Sequence, residues 1–378
     1  MISETSPSIK FYGYLLLAGL IAACGTDEYD NDYDSIEAPE VELNHVFDIT
    51  DSEETMMSGI GEVLVTSDGS IMLIDNQQAN IHVYDDTGDY QHSFIESGSG
   101  PGEVEMLGSS ILSKDDDLFV FDFSNQRFSQ FDRMSDEWEF NQSFSPGDNF
   151  PTWFYPIEDD HWVFFQNVNP FSDEDQDSVD VTLTNMETGD EEEVLISFGV
   201  DDMIAIDNDE GAPMMSLSPE YHNRNLFDFG ENYLVHSKTG ELSFSFYEFP
   251  DFEKTNSFTL NRPVFSLSEN TKDEYVERFE DSQAPVDNLP QEIRAQMADE
   301  KAVVRYFQYD PAGYIWAQVH GPDGEHPWLV LDQNGEVHYN TVLDYDTFEI
   351  RTIRDGRIFV VSEDESGLPK VRVYEYEV

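Results

Sequence analysis

The chain has few positive charges and almost no cysteine. Its 378 residues include 18 Lys and Arg against 80 Asp and Glu, for a formal net charge of −62 at pH 7. Binding to nucleic acid depends on clustered basic residues that contact phosphates, so a nucleic-acid partner is not expected. Cys24 is the single cysteine, which excludes a disulfide framework.

The hydrophobic content is nevertheless high enough for a folded body. Hydrophobic residues make up 39% of the chain and aromatic residues 13%, more than a disordered acidic chain carries. So many carboxylates repel one another in dilute buffer, whereas molar salt shortens the screening length to about 3 Å. The composition therefore favours a protein that works in a saline setting; the open alternative is a cation-binding surface.

The N-terminus carries the strongest short motif. Thirteen apolar or small residues, 11–23, follow Lys10; this run is too short to span a bilayer and is typical of a signal-peptide core. It ends in Ile-Ala-Ala before Cys24, which resembles a bacterial lipobox, and the resemblance implies that Cys24 becomes the lipidated first residue. The alternative is an ordinary secretory signal with an incidental cysteine.

This motif divides the chain into three parts. Residues 1–23 are predicted to be a lipoprotein signal peptide, 24–40 an acidic flexible tether, and 41–378 the folded domain. Gly25 rather than aspartate follows the cysteine, which in lipoproteins of this kind favours sorting to the outer membrane. Later apolar runs are too short to cross a membrane.

A pattern of polar turn, apolar strand, gap and second strand recurs six times along the chain. Asp-Gly and similar pairs before the apolar runs are typical of hairpin turns. The intervals between the aligned positions are 47, 44, 71, 82 and 43 residues, and three of them match a β-propeller blade of about 40 to 50 residues. The aligned positions are Ile71, Leu118, Trp162, Tyr233, Ile315 and Ile358.

The sequence thus predicts an all-β fold, a six-bladed β-propeller. The last copy provides only three strands, and the N-terminal strand Val41–Thr50 is predicted to complete that blade and close the ring. The two long intervals contain insertions at 199–220 and 261–302. The second is predicted to be helical and to lie between blades 4 and 5, with a capping box at Thr271–Glu274.

A family resemblance rests on two further motifs. Gly98–Glu103 reads Gly-Ser-Gly-Pro-Gly-Glu before the strand Leu118–Asp122, and Asp310–Trp316 combines aspartate, glycine and tryptophan late in the chain. These motifs resemble those of bacterial six-bladed β-propeller lipoproteins, relatives of the NHL-repeat propellers. The resemblance implies a propeller fold and a location in the cell envelope, and it implies no settled activity.

Candidate binding residues lie near the mouth of the central funnel. Both insertions connect one blade to the next on the face that holds this mouth, where they could frame a site; alternatively they only pack on its rim. Arg224, Arg305 and Arg351 fall on or beside the inner strands of the last three blades and could bind an anion. The alternative is that each neutralises nearby carboxylates.

The sequence therefore favours a lipid-anchored, monomeric binding or scaffolding module of the bacterial outer membrane. The expected partner is an anionic small molecule or another envelope protein, with the membrane contacted through the lipid. The alternative is a hydrolase or lyase with its site in the funnel. No catalytic residue, metal site or cofactor is predicted.

Overall fold

The computed structural model describes residues 38–377 with several gaps. The predicted signal peptide, Cys24 and the tether up to residue 37 lie outside the described residues. The gaps are 53–54, 146–150, 158–160, 167–177, 187, 189, 208–212, 220, 231, 280–287, 322–325, 343–348 and 365.

Six four-stranded antiparallel sheets form the described body. After an N-terminal strand β1 (Leu43–Ile49), blades 1 to 3 contain β2 (Ile60–Val65), β3 (Ile71–Asp75), β4 (Asn80–Tyr84), β5 (Tyr90–Phe94), β6 (Leu107–Leu112), β7 (Leu118–Asp122), β8 (Arg127–Met134), β9 (Glu137–Phe144), β10 (Pro151–Ile157), β11 (His161–Gln166), β12 (Ser178–Asn185) and β13 (Glu191–Gly199). A separate hairpin, β14 (Ile204–Asp207) and β15 (Pro213–Leu217), follows blade 3.

Blades 4 to 6 complete the body. They contain β16 (Asn225–Phe229), β17 (Tyr233–Lys238), β18 (Leu242–Glu248), β19 (Glu253–Leu260), β20 (Val304–Asp310), β21 (Tyr314–Val319), β22 (Trp328–Asp332), β23 (Val337–Thr341), β24 (Glu349–Arg354), β25 (Arg357–Glu363) and β26 (Pro369–Tyr376). Two helices, α1 (Glu269–Glu277) and α2 (Leu289–Gln296), lie between blades 4 and 5. The all-β six-bladed propeller with a helical insertion is thus confirmed, and all six aligned positions fall in the second strand of a blade.

The first strands of neighbouring blades contact one another and form the inner ring. β2 lies against β6 and β24, and β20 lies against β16 and β24. Because each blade is an antiparallel meander, its connection to the next blade and its turn between the second and third strands share one face, which we call the upper face. The remaining turns share the lower face. Both predicted insertions therefore lie on the upper face.

The last blade draws strands from both ends of the described chain. β1 pairs antiparallel with β26, from Leu43 opposite Tyr376 to Ile49 opposite Val371, so the predicted pairing of the N-terminal strand with the final blade is present. Thr352 of β24 donates a hydrogen bond to the Val63 carbonyl of β2, which links blade 6 to blade 1.

Apolar side chains fill the spaces between blades. At the junction of blades 2 and 3 the filling is aromatic, with Phe128 stacked on Trp162 at 5.1 Å between ring centroids and Phe119 edge-on to the same indole at 4.7 Å. Alternating strand residues supply one side chain in two to each junction, so burying these aromatics joins neighbouring sheets.

The helices differ in detail from the prediction. α1 begins at Glu269, because the Ser268 hydroxyl accepts the Thr271 N–H at 3.1 Å; Thr271 lies in the first turn and is not the cap. Pro290 lies in the first turn of α2, where its missing N–H costs no helical hydrogen bond. Neither helix is long and apolar enough to span a membrane.

The glycine-rich turn, Gly98–Glu103, is stabilised by hydrogen bonds of two side chains, Glu103 within the turn and Arg127 of β8. The Gly100 N–H donates to the Glu103 carboxylate at 2.8 Å, and the Arg127 guanidinium donates to the Gly100 and Glu103 carbonyls at 2.8 and 2.6 Å. These contacts fix the connection between blades 1 and 2 on the upper face.

Candidate functional site

The two insertions fold together on the upper face into one unit, which we call the cap: the β14–β15 hairpin, α1 and α2. Apolar side chains from both insertions form a core separate from those between the blades. The buried members are Ile204, Ile206, Leu267, Val276, Leu289, Ile293 and Met297. The two insertions therefore pack on each other and do not merely lie on the rim as two independent segments.

Polar contacts join the hairpin to α2. The Gln296 side-chain amide donates to the Ala205 carbonyl at 2.9 Å and accepts the Ala205 N–H at 3.3 Å. The amide thus contacts the β14 backbone much as a neighbouring strand would, and it satisfies two main-chain groups of a short hairpin that has no third strand there.

His222 joins both insertions to blade 4. Its Nε2 accepts the Ala298 N–H at 3.1 Å, so the proton lies on Nδ1, which donates to the Asp202 carbonyl at 3.2 Å. Burial lowers the pKa of His222, which favours this neutral ring. One imidazole therefore bridges residue 202 of the first insertion and residue 298 of the second.

Ion pairs fasten the helices on the solvent side of the cap. Lys272 is buried and donates to Asp299 at 2.9 Å, and this hydrogen bond holds the pKa of the Asp299 carboxyl below its usual range. Arg294 of α2 contacts Glu269 and Asp273 of α1 at 2.5 and 2.7 Å. Two of the 18 Lys and Arg residues of the chain therefore hold the cap together.

Exposed apolar side chains are concentrated on the upper face. Of the eleven large hydrophobic residues that are exposed in the described part of the chain, seven lie in upper-face connections or turns, and only Met134 adjoins a lower-face turn. The seven are Met56, Met106, Phe123, Met203, Val264, Val342 and Leu368. Most of the exposed large apolar side chains of the described residues therefore lie on the face that carries the cap.

Below the cap, polar side chains of the inner ring hydrogen-bond the backbone of the next blade. Glu62 accepts the Ser110 N–H at 2.9 Å, and Asp228 accepts the Tyr309 N–H at 2.6 Å. Gln308 donates to the Arg351 carbonyl at 2.7 Å. Together with the bond from Thr352, these contacts join blades 1 to 2, 4 to 5, 5 to 6 and 6 to 1.

The two acids of this ring have strongly perturbed ionisation. Burial raises the pKa of Glu62 to about 7, although the hydrogen bond from Ser110 and the charge of Arg351 both act to lower it. Burial likewise raises the pKa of Asp228 to about 6, against hydrogen bonds from the Tyr309 and Phe229 N–H groups. Burial therefore disfavours the charged form of both carboxyls.

Comparison with known proteins identifies the family. The sequence profile of the DUF5128 family, described as "6-bladed beta-propeller", matches residues 38–280, more than half of the chain. The chain belongs to this family. Among curated proteins, none matches it.

Two solved structures share the fold of this DUF5128 propeller. One, described as a "putative exported protein", is from Bacteroides fragilis NCTC 9343; it is 10% identical, with a TM-score of 0.53 over 90% of this chain and 95% of that chain. The other is a member of the DUF4221 family from Bacteroides vulgatus ATCC 8482, 12% identical, with a TM-score of 0.54 over 90% of this chain and 99% of that chain. Identities this low establish a common fold and nothing about activity.

The DUF5128 propeller places two of the three predicted arginines, Arg224 and Arg305, next to each other. Arg224 donates to the Arg305 carbonyl at 3.5 Å, and the Arg305 guanidinium donates to Gln318 at 3.2 Å. Arg351 lies close enough to Glu62 for its charge to affect that carboxyl. Arg224 and Arg305 are thus neighbours, whereas Arg351 interacts with blade 1; the anion site stays a prediction.

A cavity of about 460 Å³ opens on the lower face, between blades 6 and 1. Its lining includes the acids Asp68 and Asp86 and the bases Arg354 and Arg357. Arg357 is already bound to Glu375 at 3.2 Å and to the Asp86 carbonyl at 2.7 Å. The cavity therefore lies on the face opposite the predicted mouth, and its charged lining residues are five acids and two arginines.

Sequence reasoning missed His222, Glu62 and Asp228. Each forms hydrogen bonds with residues that are tens of positions away in the sequence. These partners come into contact only when the blades are assembled. One signal was available: Glu62 and Asp228 are each the single charged residue of a first strand, where an unpaired charge is costly.

Proposed function

We propose that this protein is a lipid-anchored binding module of the bacterial cell envelope that docks another envelope protein on its upper face. The observation that carries the proposal is the joint packing of the two insertions into a cap, on the same face as most of the exposed apolar side chains. Two long connections that share a core provide a shaped surface, which a propeller with short turns lacks.

A protein partner fits this surface better than a small molecule does. The exposed apolar residues are spread over connections from several blades, and several are methionines, whose flexible side chains adapt to a facing surface. The chain carries a net charge of −62, so the partner surface is expected to combine apolar groups with Lys and Arg.

The location rests on the N-terminal motif. Lipidation at Cys24 would tether the propeller to the outer membrane through the acidic segment that follows, and the similar Bacteroides fragilis structure described as exported supports an envelope location. Cys24→Ala is expected to move the chain from the membrane fraction to the soluble fraction. Retention of the variant at the membrane would reject the anchor without affecting the docking proposal.

Photo-crosslinking from matched positions tests the docking face. Met106 on the upper face and Met134 beside a lower-face turn are 50% and 56% exposed, so the photo-reactive substitutions Met106→Bpa and Met134→Bpa are equally accessible. Irradiation of cell envelopes should give a discrete crosslinked protein from position 106 and little from position 134. Equal crosslinking from both positions, or crosslinking from 134 alone, would reject the upper face as the docking surface.

A further inference from the structure

The outer hairpin of blade 5 brings two carboxylates and an imidazole together on the lower face. Asp332 ends β22, Glu336 lies in the turn and His338 is in β23, at positions i, i+4 and i+6. One donor atom from each lies within 4.8 Å of the others, a spacing that one ion could bridge after a small adjustment of the exposed Glu336 side chain.

The turn fixes the orientation of Asp332. Its Oδ1 accepts the Asn334 and Glu336 N–H groups at 2.8 and 2.9 Å. Its Oδ2 accepts the Asn334 side-chain amide at 3.2 Å and faces His338 Nε2 at 3.8 Å, a separation beyond hydrogen-bond distance.

The imidazole is held in place by its neighbours. The Tyr314 ring packs edge-on against His338, with centroids 5.4 Å apart. The Nε2 atom is shielded from solvent and, among the described residues, has no hydrogen-bond partner. A ring nitrogen that has no hydrogen bond and faces a carboxylate across 3.8 Å is available as a metal ligand when the imidazole is neutral.

Blade 1 contains the same turn without the imidazole. Asp85 occupies the place of Asp332 and accepts the Thr87 and Asp89 N–H groups at 3.0 and 2.9 Å. At the position equivalent to His338, Gln91 donates directly to Asp85 Oδ2 at 3.0 Å. In blade 5 the residue at this position is His338, a potential metal ligand that makes no hydrogen bond to Asp332, and the Asn334 amide donates to Asp332 Oδ2 instead.

We propose that Asp332, Glu336 and His338 bind a first-row divalent cation, with Zn²⁺ as the reference ion. Carboxylate oxygens and a neutral imidazole are ligands for such ions at about 2.0 to 2.2 Å, and the imidazole disfavours Mg²⁺ and Ca²⁺. The bound ion joins β22 to β23 at the outer edge of blade 5. This assignment departs from the sequence-based expectation of no metal site.

Zinc titration of the full chain in 1 M NaCl tests the site, because high salt suppresses weak binding to the many surface carboxylates. The wild type should take up one Zn²⁺ in competition with a chromophoric chelator. His338→Gln reproduces the contact that blade 1 already uses and should keep the fold while weakening this binding about tenfold or more. His45→Gln is the matched control, since His45 pairs with Asp48 at 2.7 Å on the surface and should leave binding unchanged.

The outcomes separate a metal site from a simple ion pair. If His338 only forms a protonated pair with Asp332, the wild type and His338→Gln will bind Zn²⁺ equally, or neither will show a stoichiometric site, and the proposal is overturned. Should His338→Gln fail to fold by circular dichroism, Glu336→Gln, which changes an exposed side chain, provides the same comparison.

Discussion

Glu62 joins blades 1 and 2 at an electrostatic cost. Its carboxylate accepts the Ser110 N–H where burial raises its pKa from 4.5 to about 7. An acid with a higher pKa in the folded state than in the unfolded state destabilises the fold only where it would ionise. The penalty is therefore absent below about pH 4.5, grows through the neutral range and is complete above about pH 7.

Glu62→Gln should stabilise the propeller in a pH-dependent way. The amide oxygen can still accept the Ser110 N–H but carries no charge, so the free energy of unfolding at pH 8 should rise by about 1 to 3 kcal/mol. Most of this gain should be lost at pH 5, where the wild-type carboxyl is protonated. Urea unfolding at both pH values measures the difference, with Glu137→Gln on an exposed strand position as the control. A gain of equal size at both pH values would contradict the assigned cause.

The cap behaves as an element with its own core. Ile293 of α2 is fully buried among residues of both insertions. Replacing a buried isoleucine by alanine costs about 2 to 5 kcal/mol. This core is separate from those between the blades. We therefore expect the loss of stability to be confined to the cap, with the inner ring remaining folded.

Ile293→Ala should therefore raise amide hydrogen exchange in β14, β15, α1 and α2, with the blade strands keeping their protection. Gln291→Ala is the matched control, because Gln291 is exposed on the same helix and alanine favours helix formation. Loss of protection throughout the blades would show instead that the cap is required for the propeller to close.

The blades could be predicted from sequence because each repeats one local pattern, a polar turn followed by a short apolar strand. The start of α1 was harder to locate, since both Ser268 and Thr271 can cap a helix and only the backbone shows which hydroxyl accepts the N–H. Contacts between blades could not be predicted. Glu62 and Ser110 are 48 residues apart, and their pairing depends on the register of two separate sheets.

The blade 5 turn is an intermediate case. Aligning the hairpin of Asp85 with that of Asp332 reveals the shared spacing from sequence alone, including the exchange of Gln91 for His338. The distance that separates the imidazole from the carboxylate depends on packing against Tyr314, which is visible only in the folded blade.

For the whole molecule, charge is the dominant feature. A net charge of −62 opposes the compact state through repulsion that acts over about 10 Å at 0.1 M salt and about 3 Å at 1 M. Repulsion of this kind depends on ionic strength and not on the identity of the cation.

The thermal midpoint should therefore rise by several degrees between 0.05 and 1 M salt, and NaCl, KCl and choline chloride should be equally effective. Differential scanning calorimetry at matched ionic strength measures this, and the midpoint should rise most steeply at the low-salt end of this range, where the screening length changes most. A rise with only one of the three cations would instead indicate specific cation sites on the acidic surface, the alternative that composition leaves open. No rise with any of them would mean that the carboxylates are too far apart for their repulsion to destabilise the fold in dilute buffer. The inference that the protein works in a saline setting would then be rejected.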